Sequence, residues 1–185
     1  MVITNLLIQF TNCQLTRVYL IGFMGSGKST AGKKLANKLA LDFFDLDELI
    51  EQKSTMSVSA FFKKYGEAKF RKLEKEILQK TFQLENVLIS TGGGTPCFFN
   101  NIQKINQQGI SVYLKADIPL ILSRLKGEKN QRPLIKDKSD DELRKYLTQL
   151  LSRREKFYKQ ANIITEAKSL NINKLSEQIK SFAKE

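Results

Sequence analysis

Residues 22–30 have the sequence Gly-Phe-Met-Gly-Ser-Gly-Lys-Ser-Thr and directly follow the apolar run at 18–21. This is the Walker A spacing, which lies between a strand and a helix. Glycines have no Cβ, so the chain can curl tightly and point successive N–H groups at phosphate oxygens. Lys28 supplies a positive charge for β- and γ-phosphates, and the Ser29 hydroxyl can join the ligand shell of Mg²⁺. The motif predicts a nucleotide-phosphate site, with an accidental glycine-rich turn as the alternative.

Strand and helix patterns alternate along the chain, which predicts an α/β fold with a parallel sheet covered on both faces. The predicted strands are 18–21, 43–45, 87–90, 110–114 and 162–164. The predicted helices are 28–40, 47–53, 57–65, 67–80, 98–108, 117–126, 140–159 and 172–183. Ser57 and Asp117 are suited to cap the helices that they precede, and Gly66 is suited to end the helix at 57–65.

No repeat or linker divides the chain, so we expect one domain at 17–185 after an N-terminal extension at 1–16. Residues 127–139 are polar and charged with little to bury, which is typical of a mobile lid. No apolar run approaches the ~20 residues of a membrane span. Residues 1–14 also lack the basic start and small-residue cleavage site of a signal peptide. We therefore expect a cytoplasmic protein with no membrane partner.

The composition limits the chemistry that the chain can perform. There is no histidine, so acid–base steps must fall to carboxylates, lysines or water. The two cysteines, Cys13 and Cys97, fit a reducing cytoplasm better than a disulfide framework. The formal net charge is +12, from 31 basic and 19 acidic residues, a property shared with nucleic-acid-binding proteins. The lysines are scattered along helices without interleaved aromatics, and attraction of anionic substrates together with a generally basic surface explains the charge equally well, so we do not expect a nucleic-acid partner.

Two carboxylates follow the short strand predicted at 43–45. Residues i and i+2 of an extended segment point the same way, so Asp45 and Asp47 can face one cleft. Near a phosphate site they suit a metal ligand and a base that orients a hydroxyl. The alternative, which these residues taken alone favour, is that Asp47 only caps the helix that follows.

Two arginines lie on helix faces where the neighbouring residues indicate a role other than that of a solvent-exposed charge. Arg71 precedes Glu74 by three residues, so the two can pair on one face, with an ordinary surface ion pair as the alternative. Arg154 shares its helix face with Leu143, Leu147, Leu151 and Tyr158. An arginine on such a stripe needs a buried anion or a carboxylate partner, unless it reaches solvent from the edge of the stripe.

Three successive glycines, Gly92, Gly93 and Gly94, follow the most apolar predicted strand, 87–90. Their backbone can approach a ligand closely and expose N–H groups to an anion. Ligands bind at the carboxyl ends of the strands in parallel sheets of this kind. We therefore expect a second part of the site here, with a plain flexible loop as the alternative.

Together these segments resemble the shikimate kinase family over about residues 17–183. The residues that carry the resemblance, besides 22–30, are Asp-Leu-Asp at 45–47, Gly-Glu-x-x-Phe-Arg-x-x-Glu at 66–74, Ser-Thr-Gly-Gly-Gly at 90–94, Gln-Arg-Pro-Leu at 131–134 and Arg-x-x-x-Tyr at 154–158. The resemblance implies a three-layer α/β/α fold of the P-loop kinase type, with five parallel strands in the order 2-3-1-4-5. It also implies transfer of the γ-phosphoryl group of ATP to the 3-hydroxyl of shikimate, with Mg²⁺ as cofactor, in chorismate and aromatic amino acid biosynthesis.

The same resemblance implies roles for the nucleotide-binding residues. The phosphates of ATP would be bound by Gly25, Ser26, Gly27, Lys28, Ser29 and Thr30. Ser29 and Asp45 would hold Mg²⁺. Arg124 would lie against the nucleotide, and Arg132 would be the lid arginine that meets the transferring phosphoryl group.

On the substrate side, the resemblance implies that Asp47 holds the hydroxyls and helps to deprotonate the one that attacks. The substrate carboxylate would be clamped by Arg71, Arg154, Gly92, Gly93 and Gly94. The catalytic residues would then be Lys28, Asp47 and Arg132.

Two other functions compete with this one. A kinase for another small metabolite, such as a gluconate kinase, would keep residues 22–30 but has no reason for two inward arginines and three glycines. A non-catalytic nucleotide-binding module with a regulatory or RNA role predicts a damaged site, whereas the expected catalytic and binding residues are all present. We expect a monomer whose partners are shikimate and ATP, without nucleic acid.

Overall fold

A five-stranded parallel sheet forms the centre of the computed structural model, which describes residues 16–125 and 139–183. Its strands are β1 Arg17–Ile21, β2 Asp42–Asp45, β3 Val87–Ser90, β4 Ile110–Lys115 and β5 Ile163–Glu166. They lie in the order β2-β3-β1-β4-β5, and every neighbouring pair is parallel. The expected strand order and all five predicted strands are therefore confirmed, with bounds shifted by at most two residues.

Helices cover both faces of the sheet. They are α1 Lys28–Leu39, α2 Leu46–Ser54, α3 Val58–Thr81, α4 Asn101–Gln108, α5 Ile118–Leu125, α6 Asp140–Tyr158 and α7 Ile172–Phe182. A short 3₁₀ turn, Thr95–Cys97, precedes α4. None of the helices within the two described ranges is long and apolar enough to cross a membrane.

The central strand β1 is buried on both faces, which explains its continuous apolar sequence. Val18 and Leu20 belong to a cluster completed by residues of α1 and α7. Tyr19 and Ile21 point the other way, into a larger cluster that includes residues of α2 to α6. The alternation along one strand therefore builds two separate cores and fixes the three-layer arrangement.

Most of the predicted helix ends are confirmed. The side chains of Ser57 and Asp117 accept hydrogen bonds from the N–H groups of Ala60 and Leu120. Gly66 has φ 77° and ψ 169°, so it interrupts the helical backbone of α3. The predicted helices at 57–65 and 67–80 therefore follow each other directly, with a kink in place of a loop.

The predicted start of the helix at 98–108 is wrong by three residues, because α4 begins at Asn101. Phe99 and Asn100 both have left-handed backbone, with φ 51° and 57°, and cannot continue a right-handed helix. Phe98, Phe99 and Asn100, which the prediction placed in or at the start of the helix, therefore connect the Thr95–Cys97 turn to α4.

Two predicted segments fall almost entirely outside the described residues. These are the N-terminal extension at 1–16 and the lid at 127–139, of which only Thr16 and Ser139 are described. Ser139 caps α6: its hydroxyl accepts from the N–H of Glu142, and the Glu142 carboxylate accepts from the N–H of Ser139. This reciprocal pair defines where the chain enters α6.

Candidate active site

A cleft of about 660 Å³ lies at the carboxyl ends of the central strands. Its walls contain most of the residues that the sequence singled out: Gly25, Ser26, Gly27, Lys28, Ser29, Thr30, Asp45, Asp47, Gly92, Gly93 and Arg124. The parallel sheet brings these residues together because each follows the carboxyl end of a strand or faces that edge.

The loop between β1 and α1 is the curled structure that its glycines predict. Gly22, Gly25 and Gly27 all have positive φ, at 144°, 73° and 94°. The side chain of Lys28 folds back over the loop, and its Nζ donates to the carbonyls of Gly22 and Phe23, each at 3.0 Å. The lysine is only 8% exposed, so its charge sits within the loop and at the wall of the cleft.

Asp45 links this loop to the end of β2. One of its carboxylate oxygens accepts from the Ser29 hydroxyl at 2.6 Å, and the other accepts from the Asp47 N–H at 3.0 Å. The cap of α2 is therefore Asp45, and the alternative that Asp47 is the cap is wrong. The reason is that β2 stays extended through Asp45 and the helix begins at the next residue, Leu46.

Asp47 also lines the cleft. A Cβ added to Gly92 would lie 3.0 Å from Oδ1 of Asp47 and 3.0 Å from Oε1 of Glu74. The first glycine of the turn at 92–94 thus lies between two carboxylates. A Cβ at this position would press on both carboxylates, which would have to shift by a few tenths of an ångström to make room for it.

The residue before the turn at 92–94 holds this turn beside the loop at 22–27 between β1 and α1, which we call the phosphate loop. Thr91 donates both its N–H and its hydroxyl to the carbonyl of Leu20 on β1, at 3.0 Å each. A Cβ on Gly93 would lie 3.1 Å from the backbone nitrogen of Met24. The two glycine-rich segments are therefore packed against each other.

Arg71 is buried on α3, and its pair with Glu74 is not the surface ion pair of the alternative prediction. Its Nη1 donates to Glu74 at 2.8 Å, and Glu74 is 1% exposed. Its Nε and Nη2 both donate to Oε1 of Glu67, at 3.2 and 3.1 Å. The predicted pairing of Arg71 with Glu74 is confirmed.

Two further contacts fix Arg71 against the residues that follow the glycine turn, and the sequence analysis missed both. Glu74 accepts from the hydroxyl of buried Thr95 at 2.7 Å. The ring of Phe98 lies with its centroid 4.4 Å from Cζ of Arg71. Both residues lie within four positions after the turn at 92–94, and this proximity in sequence is the one signal that points to them.

Arg154 reaches the same turn from α6. Its Nη1 donates to the carbonyl of Gly93 at 3.3 Å, and its Cζ lies 5.9 Å from the ring centroid of Phe23. The side chain is partly buried, whereas Arg153 is exposed, as the helical spacing predicts. A Cβ on Gly94 would lie 2.5 Å from Nη2 of Arg71. Both guanidinium groups therefore meet neighbouring residues of one turn.

The comparisons with known proteins agree with this geometry. The model of the family described as shikimate kinase matches residues 24–184. A shikimate kinase of Azobacteroides pseudotrichonymphae is 46% identical over 166 residues, covering 89% of this chain and 98% of that protein. The chain belongs to the shikimate kinase family. This membership confirms the resemblance that residues 22–30, 45–47, 66–74 and 90–94 indicate.

Solved structures of shikimate kinases have the same fold. The enzyme of Bacteroides thetaiotaomicron superposes with a TM-score of 0.84 at 39% identity, covering 92% of this chain and 99% of that one. The enzyme of Acinetobacter baumannii, solved in complex with shikimate, gives a TM-score of 0.80 at 32% identity, covering 91% and 92%. The predicted P-loop kinase fold is thereby confirmed.

The resemblance to shikimate kinases predicts that Arg124 and Arg132 lie on the nucleotide side of the site. The Nη1 of Arg124 donates to the carbonyls of Gly25 and Ser26, so this side chain crosses from α5 to the phosphate loop. Arg132 lies outside the described residues, and its assigned role stays a prediction.

Cys97 ends the Thr95–Cys97 turn, which directly follows the glycines at 92–94. The sequence predicts no place for Cys97 next to the site. Burial raises the pKa of its thiol to about 11, although the nearby charges of Arg154 and Arg71 act in the opposite direction. Cys97 is therefore a neutral thiol at physiological pH.

We expect Cys97 to react with a maleimide about 100-fold more slowly at pH 8 than a cysteine with the ordinary pKa of 9.0, because its pKa is about 11. The rate should rise with pH until the thiol has titrated. A Cys13→Ser variant isolates the reaction of Cys97, and mass spectrometry measures it. A rate equal to that of a free thiol would contradict the burial of this side chain.

Proposed function

We propose that this chain transfers the γ-phosphoryl group of ATP to the 3-hydroxyl of shikimate and releases shikimate 3-phosphate and ADP. The observation that carries the substrate assignment is the approach of Arg71 and Arg154 to one glycine turn beside the phosphate loop. Planar guanidinium groups bind a carboxylate through two parallel hydrogen bonds, so this pair suits the single carboxylate of shikimate.

The nucleotide side of the proposal rests on the phosphate loop. The N–H groups of residues 25–30 and the N-terminus of α1 would bind the phosphates of ATP. Hydroxyl and carboxylate oxygens are the donors that Mg²⁺ prefers, so the 2.6 Å pair of Ser29 and Asp45 fits this ion and would hold it. Bound Mg²⁺ supplies positive charge to the β- and γ-phosphate oxygens. Lys28 would add a further charge from within the loop.

Asp47 would orient the attacking hydroxyl and accept its proton. The hydroxyl oxygen forms the new bond to the γ-phosphorus, the bond from that phosphorus to the bridging oxygen breaks, and ADP leaves with that oxygen. This reaction depends on positioning and charge neutralisation, so a chain without histidine can perform it. A carboxylate at the wall of the cleft is sufficient as the base.

The remaining parts of the proposal rest on the family resemblance. Arg124 would lie against the nucleotide, and Arg132 would meet the transferring phosphoryl group when a lid at about 127–139 closes and excludes water. We also propose that residues 17–185 act as one domain, and that the enzyme works as a cytoplasmic monomer without a nucleic-acid partner.

Arg154→Ala is expected to raise KM for shikimate about 30-fold, or about 2 kcal/mol, with little change in KM for ATP. The lower end of the range for a lost charge pair applies because Arg154 is only partly buried. Arg153→Ala, which removes the exposed neighbour on the same helix, is the matched control. An unchanged KM for shikimate would exclude Arg154 from the substrate site.

An assay of ADP release with Mg-ATP and a panel of acceptors tests the proposed function. Shikimate should support turnover well above the rate without an acceptor, and gluconate should not. Turnover of gluconate without turnover of shikimate would favour the competing sugar-acid kinase. ATP binding without turnover of any acceptor would favour a non-catalytic module.

A further inference from the structure

We infer that Tyr158 is a positioning residue for the substrate carboxylate, because its hydroxyl holds the Gly93 carbonyl that also binds Arg154. The hydroxyl of Tyr158 and Nη1 of Arg154 both donate to this one oxygen. A carbonyl oxygen has two lone pairs, so the two donors together satisfy it. This inference rests on the proposed function, since it concerns how the same site binds its substrate.

Tyr158 is a rigid donor. It is 0% exposed and ends α6, and its ring packs on that of Tyr113 on β4 with centroids 5.1 Å apart. Burial raises the pKa of its hydroxyl far above the ordinary value. The group therefore keeps its proton and remains a donor over the whole working pH range.

Gly93 contacts both the phosphate loop and α6, which belong to the nucleotide side and the substrate side of the proposed site. Its Cα side faces the phosphate loop, where an added Cβ would lie 3.1 Å from the Met24 nitrogen. Its carbonyl faces α6 and binds Tyr158 and Arg154. The orientation of this peptide group therefore determines where the guanidinium group of Arg154 lies relative to the proposed nucleotide site.

The contacts of Arg154 with the Gly93 carbonyl and with Phe23 are weak, so the side chain gains from this support. Its hydrogen bond to Gly93 is long, at 3.3 Å, and its Cζ lies 5.9 Å from the Phe23 ring centroid. Holding a long arginine side chain in one rotamer costs conformational entropy. A carbonyl already fixed by Tyr158 reduces the number of positions that Arg154 samples, so the guanidinium is preorganised for the carboxylate.

Tyr158→Phe tests this role, because it removes one oxygen and keeps the ring on Tyr113. We expect KM for shikimate to rise about 5- to 20-fold, the equivalent of one lost hydrogen bond to a buried group, while KM for ATP changes less than twofold. The fall in kcat should be smaller than the rise in KM for shikimate.

Tyr19→Phe is the matched control. Tyr19 is also 0% exposed, and its hydroxyl makes one buried hydrogen bond, at 3.2 Å, with Thr81. Both variants should lose a similar amount of thermal stability, whereas only Tyr158→Phe should raise KM for shikimate. Equal kinetic constants in the two variants would overturn the inference and leave Tyr158 with a purely structural role.

Two further variants test whether the hydroxyl acts as a donor and through Arg154. In an Arg154→Ala background, Tyr158→Phe should have no additional effect on KM for shikimate, whereas fully additive effects would overturn the inference. Tyr158→4-aminophenylalanine keeps a donor and should give a KM within about threefold of the wild type. A KM raised more than tenfold in this variant would also overturn it, even if the phenylalanine variant does not fold.

The wild-type enzyme, measured in the same assay, separates this inference from the function on which it rests. A wild type without shikimate-dependent ADP release would contradict the proposed function. An active wild type whose Tyr158→Phe variant matches Tyr19→Phe would contradict the positioning role alone.

Discussion

Replacing Asp47 with asparagine is expected to lower kcat about 10²- to 10⁴-fold while leaving the dissociation constant for ATP nearly unchanged. The substitution keeps the size of the side chain and its ability to accept a hydrogen bond, but it removes the negative charge and the basic oxygen. The hydroxyl that attacks the phosphoryl group would then lose the carboxylate that is proposed to take its proton.

The structure explains why this substitution should not remove the cap of α2. The N-terminus of α2 is capped by the carboxylate of Asp45, which accepts from the backbone N–H of residue 47. That contact does not involve the side chain of Asp47. The contact between Ser29 and Asp45 is also made without it. Nucleotide and metal binding should therefore survive the change.

Asp42→Asn is the matched control for Asp47→Asn. Asp42 begins the same short strand, β2, but its side chain is exposed. Initial-rate kinetics and calorimetric titration with ATP analogues measure the two quantities separately. Equal losses of turnover and of nucleotide affinity in Asp47→Asn would assign Asp47 a structural role.

The local parts of this site could be predicted from the sequence because their chemistry is encoded in consecutive residues. The glycines and lysine of 22–30 define a phosphate loop without reference to the rest of the chain. Arg71 and Glu74 are neighbours on a helix surface whatever the tertiary fold, so their pairing could also be predicted from the sequence. The burial of this pair could not be predicted, because it depends on Thr95 and Phe98, which approach from another part of the chain.

The contacts that join the two halves of the site are long-range, and periodicity contains no information about them. The carbonyl of Gly93 meets Arg154 and Tyr158 across more than 60 positions of sequence. The strand order came from the family resemblance, since several orders suit the same alternation of strands and helices. The alternative prediction that Asp47 caps the helix is wrong because the helix begins at Leu46, and the boundaries of elements are the least predictable feature of a sequence.

Arg71→Ala is expected to reduce both stability and substrate binding, for two separate reasons. The variant would leave the Glu74 carboxylate, which is 1% exposed, without its cation, and loss of one partner of a buried pair costs about 3–5 kcal/mol. KM for shikimate should also rise at least tenfold, because one of the two guanidinium groups at the turn is lost. Urea unfolding and initial-rate kinetics measure these two effects.

A paired substitution separates the two roles of Arg71. In Arg71→Met with Glu74→Gln, no buried charge remains, and the glutamine can still accept from the Thr95 hydroxyl. Most of the lost stability should return, whereas KM for shikimate should stay high. Lys80→Ala is the matched control on the same helix, because its pair with Glu76 is exposed and should contribute less than about 1 kcal/mol. If Arg71→Ala lost no more stability than Lys80→Ala, the charge of Glu74 would not depend on Arg71, and the rigid support of the carboxylate site would have to come from α6 alone.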